Sequence, residues 1–341
     1  MGRFLKKPVK PISIEPDATV DAFVKQLSEI SFQARNLGTA VNIWDRMTQD
    51  DTLILFGLAG AMVPAGLREV VSFLVRNRFI DCLVSTGANL FHDCHETLGY
   101  SHWRGSHIAD DATLKEESID RIYDTYASET EFRHTDEFIT RFAREVPQDE
   151  PITTREFLYL LGKKLAESTE NNGILSCAYK AGVPIYCPAI GDSAIGIAVA
   201  IGTSRKENRV VFDIVGDVLE TARLAASSPT GVIYVGGGTP KNFIQQSEVT
   251  TAILGDTDTG HRYAIQIITD PPHWGGLSGC TFEEAQSWGK IAMDAMKVTV
   301  YSDATIALPL IVTALASRRR DNLQKRKLPR FEMARSLKVS L

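Results

Sequence analysis

Gly231-Val232-Ile233-Tyr234-Val235-Gly236-Gly237-Gly238-Thr239 sets the architecture. Five residues that suit a buried strand run into three glycines, and a helical stretch, Thr239 to Leu254, follows at once. A glycine turn between a strand and a helix is the hinge of an α/β unit. The same rhythm recurs on both sides. Downstream come a strand at Arg262 to Thr269, a break at Pro271-Pro272, a strand at Lys297 to Tyr301 and a helix at Asp303 to Ala316. Upstream come a helix at Phe212 to Ala226 and a strand at Val183 to Cys187 that ends in the turn Pro188 to Asp192. Further back, Thr52 to Phe56 reads as a strand, Leu67 to Val75 as a helix and Phe79 to Ser85 as a second strand ending on Thr86-Gly87. Ala18 to Met47 has helical spacing, and Asp110 to Val146 reads as two helices with a loop. The alternation predicts a doubly wound α/β fold, Rossmann-like, with a mostly parallel sheet and N-terminal helices.

No long linker or internal repeat divides the 341 residues, so one domain over 1–341 is expected, with an extended arm at 1–16. The stretch 318–341 holds nine Lys or Arg against two acidic residues and reads as a solvated basic tail. A net charge of -5 gives no general attraction to nucleic acid or anionic lipid. Five dispersed cysteines without a CxxC argue for a reducing compartment. The N-terminus lacks an apolar signal region, and the apolar window Val183 to Gly202 is broken by two prolines, Asp192 and three glycines. A cytoplasmic protein with neither membrane nor nucleic acid as partner is expected.

Chemistry concentrates in Ser278-Gly279-Cys280-Thr281-Phe282-Glu283-Glu284-Ala285-Gln286-Ser287-Trp288-Gly289-Lys290-Ile291. Thr281 and Glu284 have capping-box spacing, which predicts a helix carrying Trp288 and Lys290. Ile291, Ala292, Met293, Ala295 and Met296 follow. A lysine among apolar groups loses hydration in its charged form and becomes a nucleophile able to form an imine. A solvated surface lysine is the alternative. The turns at Thr86-Gly87 and Gly236 to Gly238 leave room for a pyrophosphate at a helix start, or serve as tight turns only. Asp192 and Asp303 follow strand ends, where they bind ribose hydroxyls or cap helices. His92, His95, His102 and His107 cluster around Cys94; a zinc site on His92, Cys94 and His95 is a competing reading, although the spacing fits no closed zinc pattern.

Several of these segments resemble the deoxyhypusine synthase family. Glu284 to Ile291 looks like its active-site lysine segment, Tyr301-Ser302-Asp303-Ala304-Thr305 like the following turn, and Gly236 to Lys241 like its triple-glycine turn. Phe32-Gln33-Ala34-Arg35-Asn36-Leu37-Gly38 is similar too, and the likeness runs from Ser31 to Ala316. The resemblance implies NAD, held by Thr86, Gly87, Asp192, Gly237, Gly238, Thr269 and Asp303, and catalysis by Lys290 with Glu284, Trp288 and Asn242. It implies transfer of an aminobutyl group between amines through a lysine imine, with NAD as recycled hydride carrier, in homotetramers with sites at subunit interfaces.

The chain departs from the family at several places. A histidine is replaced by Asn242, two polyamine-binding aspartates by Ile197 and Leu277, and a glutamate by His92. A serine-asparagine pair becomes Gly60-Ala61, and a later serine becomes Pro64. Asparagine cannot carry a proton near neutral pH. The expectation is therefore an NAD-dependent aminoalkyl transferase (EC 2.5-like) acting on an altered small-molecule amine. The alternative is a non-catalytic NAD-binding or regulatory relative. On a straight helix Trp288 and Lys290 would point about 200° apart, so the two could not easily share a pocket.

Overall fold

The computed structural model describes residues 5–255, 260–319, 326–333 and 335–340. Helices α1 (Val20–Glu29) and α2 (Phe32–Met47) precede strand β1 (Leu53–Leu58). A wide helical turn at Val63–Leu67 leads into α3 (Arg68–Arg76), β2 (Cys82–Ser85) and α4 (Gly87–Thr97). An excursion follows, with β3 (Trp103–Arg104), α5 (Asp111–Glu116), β4 (Ile119–Ile122), β5 (Thr125–Ser128) and α6 (Glu129–Phe142). The chain continues through α7 (Thr154–Ser168), α8 (Ile174–Ala181), β6 (Ile185–Tyr186), α9 (Ala194–Ser204) and α10 (Ile214–Ser227). Then come β7 (Thr230–Val235), α11 (Gly238–Leu254), β8 (His261–Ile268), α12 (Phe282–Ser287), β9 (Ile291–Tyr301) and α13 (Ala304–Arg319). Two short strands, β10 (Arg330–Glu332) and β11 (Lys338–Ser340), pair as an antiparallel ribbon.

Six strands form one sheet in the order β6-β2-β1-β7-β8-β9, and every pairing is parallel. The doubly wound α/β expectation holds. Strands β1 and β7 are buried at every position, as continuous apolar runs in a parallel sheet should be. Because side chains alternate faces, Ile54, Phe56 and Ile233 join one core, with Trp44 and Leu308 from α2 and α13. Leu55, Val232 and Tyr234 join the other, under Ile244 of α11 and Phe282 of α12.

Three local expectations change. The stretch 110–146 is not two helices and a loop: β4 and β5 form a hairpin between α5 and α6. The helix expected to carry Lys290 ends at Ser287, and Ile291 to Met296 belong to β9. The solvated tail expected at 318–341 is not what the described part forms. Arg318 and Arg319 end α13, and Arg326 is buried, donating to both oxygens of Asp81 and, at 2.8 Å, to Thr52 O. Leu337 N–H donates to Glu220 at 3.0 Å, and Arg155 donates to Arg335 O at 2.9 Å. The rest of that stretch, 320–325, 334 and 341, lies outside the described residues. Among the described residues no helix is long and apolar enough to cross a membrane.

Candidate active site

Parallel strands put all their carboxyl ends on one edge, the usual place for ligands in such sheets. The turns after β2 (Thr86, Gly87), β6 (Asp192), β7 (Gly237, Gly238), β8 (Thr269) and β9 (Asp303) all lie there. The strand order reverses between β1 and β7, so the triple-glycine turn sits at the switch point. From β6 to β9 the edge spans about 24 Å at the normal strand spacing.

The triple-glycine turn is a clasp. Gly236 and Gly238 have φ of 72° and 58°, and a Cβ on Gly237 would lie 2.5 Å from Ser278 Cα. Gly238 N–H donates to Ser278 Oγ at 3.0 Å. Gln266 donates through Nε2 to Gly236 O and Ser278 O, both at 2.9 Å. Lys241 Nζ donates to Gln266 Oε1 at 3.1 Å, to Ser278 O at 3.2 Å and to Cys280 O at 2.6 Å. Only 1% of Lys241 is exposed, and burial pushes its ammonium down to about 8, with the neighbouring Lys290 adding to the shift. The network fixes segment 278–281, which leads straight to the Lys290 turn. It also occupies one amide at the start of α11, so this turn is not an open phosphate cradle.

The other glycine turn is freer. Thr86, the N-cap of α4, makes no side-chain cap bond, and Gly87 is pressed against Ser193, where a Cβ would come within 2.3 Å. Ser193 itself caps α9, accepting from Gly196 N–H at 3.3 Å, which leaves the Asp192 carboxylate exposed and without a capping duty. Asp303 does act as a cap: its Oδ1 accepts from Thr305 N–H at 2.7 Å and from Thr305 Oγ at 2.5 Å.

Helix α12 forms half of the expected capping box: Thr281 Oγ accepts from Glu284 N–H at 3.1 Å, without a return bond to the Glu284 carboxylate among the described residues. It is only six residues long, and Trp288 is its C-cap. Gly289 at φ 71° reverses the chain, and Lys290 follows in the turn before β9. Lys290 O accepts from His261 N–H at 3.0 Å, which pins the turn to β8. The reversal removes the helical separation of Trp288 and Lys290. Nζ lies 5.3 Å from the Trp288 ring centroid and donates to Asn242 Oδ1 at 3.4 Å. Lys290 is half-buried, and Trp288 is 66% exposed. The expected burial of Lys290 among Ile291, Ala292 and Met293 therefore does not occur; the deeply buried lysine is Lys241. After Lys290, β9 bulges: His261 pairs with Ile291 but Tyr263 pairs with Met296. Gln286 holds the bulge, donating to Ala292 O at 2.7 Å and Met293 O at 3.1 Å while accepting from Lys297 at 2.7 Å.

The family model for deoxyhypusine synthase matches residues 22–315. The chain belongs to the deoxyhypusine synthase family. It is 50% identical over 320 residues to "Probable deoxyhypusine synthase 2" of Methanosarcina mazei, covering 93% of this chain and 92% of that one. It is 39% identical over 314 residues to a deoxyhypusine synthase-like protein of Chlorobaculum parvum, covering 90% and 89% of the two chains. A crystal structure of a protein assigned as a deoxyhypusine synthase from Entamoeba histolytica superposes with a TM-score of 0.65 at 19% identity, covering 90% of this chain and 96% of that one. That likeness speaks for the fold.

Within this deoxyhypusine synthase-like frame, Lys290, Trp288 and Asn242 meet, while Glu284 is an exposed first-turn residue of α12. Ile197 and Leu277 are 56% and 47% exposed and offer no carboxylate. His92 faces His102, with Nδ1 2.9 Å from Nε2, and His102 meets Glu96 at 2.7 Å. Burial first, then the neighbouring histidines, hold His92 down at about 3 and His95 at about 4. Cys94 lies in the core, and among the described residues no group of three His, Cys, Asp or Glu side chains is placed to hold a metal ion. The zinc reading on His92, Cys94 and His95 finds no support in that arrangement. Lys241, Gln266, Ser278 and Gln286, which hold the lysine segment and the β9 bulge in place, were given no role in the sequence reading. One hint was present, a glutamine inside the run Tyr263 to Ile268 of β8, whose other residues are apolar or aromatic.

Proposed function

We propose that this chain is a deoxyhypusine synthase-like aminoalkyl transferase that moves an aminoalkyl group between small amines through an imine on Lys290. The observation that carries the reading is the meeting of Lys290 Nζ with the Trp288 face and Asn242, at the end of a segment clasped by Lys241 and Gln266. The ring face attracts a cationic amine. Asn242 accepts a hydrogen bond and orients the nucleophile, but its amide cannot take up and release a proton near neutral pH.

NAD is the cofactor this reading requires. The α4 start at Thr86-Gly87 has no side-chain cap, and the Asp192 carboxylate is not used as a cap; these suit a pyrophosphate and a ribose. Gly237, Gly238, Thr269 and Asp303 would line the remaining length. When bound, NAD would supply the acceptor for a hydride from the donor amine carbon and the source of the hydride that reduces the final imine. Between those two hydride transfers the Lys290 amine attacks the C=N carbon and the departing amine leaves, and the acceptor amine then displaces Lys290 in the same manner. With Ile197 and Leu277 in place of acidic groups, the substrate is an amine that needs no carboxylate at those two positions.

The exposed apolar groups around the lysine turn, Trp274, Leu277, Trp288, Met293 and Met296, support an assembly that covers them, and we take it to be a homotetramer. Light scattering should then give about 150 kDa, four times 37.6 kDa. Two cores sharing the strands of one sheet support a single domain, and five free cysteines support a cytoplasmic setting.

Incubation with NAD and candidate amines followed by borohydride should label Lys290, and Lys290→Ala should abolish the adduct. An adduct that survives in Lys290→Ala would sink the mechanism. A second reading, a non-catalytic NAD-binding or regulatory relative, is favoured by Asn242, which stands 3.4 Å from the amine with no titratable proton. It requires NAD binding without any adduct.

A further inference from the structure

Among the described residues strand β9 ends the sheet, and one of its edges has no strand partner. Two side chains from the start of α2 occupy that edge at its carboxyl end. Gln33 Oε1 accepts from Tyr301 N–H at 2.7 Å. Asn36 Nδ2 donates to Thr299 O at 3.0 Å and to Gln33 Oε1 at 3.3 Å. The amides thus take the bonds that a further strand would take. The arrangement has a cost. Phe32, immediately before Gln33, sits at φ 62° with its side chain 89% exposed. A bulky residue in the left-handed region is strained, and here burial does not offset it. On the other side, Ser302 N–H donates to Ile268 O at 3.1 Å, so the end of β9 is held from both edges.

Asp303 lies two residues beyond Tyr301. We propose that Gln33 and Asn36 are positioning residues that fix the carboxyl end of β9 and thereby hold the Asp303 turn in place for the cofactor. This rests on the reading that Asp303 meets NAD. Edge protection alone would affect solubility and stability but not cofactor affinity, so the two roles separate experimentally.

The test uses the full chain as wild type, Gln33→Ala, Gln33→Glu and Asn36→Ala. NAD affinity is measured by calorimetry, amide exchange at Tyr301 by mass spectrometry, and Lys290 reactivity by borohydride trapping of an amino aldehyde. Gln33→Ala should weaken NAD by about tenfold and speed exchange at Tyr301, with trapping at Lys290 within about twofold of wild type. Asn36→Ala should act in the same direction. Gln33→Glu keeps the acceptor oxygen and should restore affinity. The proposal is overturned if Gln33→Ala binds NAD as wild type does, if Gln33→Glu binds as weakly as Gln33→Ala, or if affinity and trapping fall together with the thermal midpoint. A wild-type chain that binds no NAD removes the cofactor reading and this inference with it. A wild type that binds, beside an equally tight Gln33→Ala, removes the inference alone.

Discussion

A single buried ammonium does more to shape the candidate site than the residues flanking the lysine that sequence reasoning put forward. Lys241 donates to two main-chain carbonyls and to Gln266, and burial has brought its proton affinity down to about 8. Lys241→Met would leave Cys280 O and Gln266 Oε1 without that donor, at about 2 kcal/mol. The expected result is a lowered thermal midpoint and slower imine trapping at Lys290, read by calorimetry and borohydride labelling. Lys290 stands differently. Its environment is an open tryptophan face and an amide, and the apolar residues after it in sequence point along a strand. Its surroundings come from the turn at Gly289, a single residue with positive φ.

At the scale of elements, α4 and α6 enclose a histidine cluster that makes stability depend on pH. Phe132 of α6 packs against His92, His95 and His102, with ring centroids between 4.8 and 6.3 Å. Asp93, Arg68, Glu96 and Glu131 are the charged groups around it. His92 and His95 both titrate lower in the folded chain than the ordinary 6.5, chiefly through burial. Between 6.5 and about 4 the unfolded chain therefore binds more protons, and stability falls as pH falls through that window. At pH 5 each histidine should cost about 2 kcal/mol relative to pH 7.5. Urea unfolding at the two pH values checks this, and a His92→Gln/His95→Gln chain should show a shallower dependence.

Across the whole molecule, the C-terminal segment closes the end of the sheet opposite the candidate site. Arg326 reaches Asp81, just before β2, and Thr52, just before β1, while Leu337 joins the core beside Leu53 and Tyr186. Asp81 is fully buried and also meets Arg78 and the Ile54 amide. Arg326→Met should destabilise the fold by about 3 kcal/mol, because a buried carboxylate loses its main counter-ion. The check is a lowered denaturation midpoint while trapping at Lys290 persists in the folded fraction.

The sequence by itself determined the α/β alternation, the glycine turns at strand ends, the cap at Thr281 and the family. Each of these is written in a few consecutive residues, through side-chain period, the φ > 0 that glycine permits, or a capping hydroxyl. The tertiary structure alone decided which lysine is buried, that Trp288 and Lys290 face one another, that Ser193 rather than Asp192 caps α9, and that Arg326 pairs with Asp81. Burial and ion pairing depend on groups far apart in the chain. Lys241 and Cys280 are 39 residues apart, and Arg326 and Asp81 are 245 apart, so no local pattern foretells their contact.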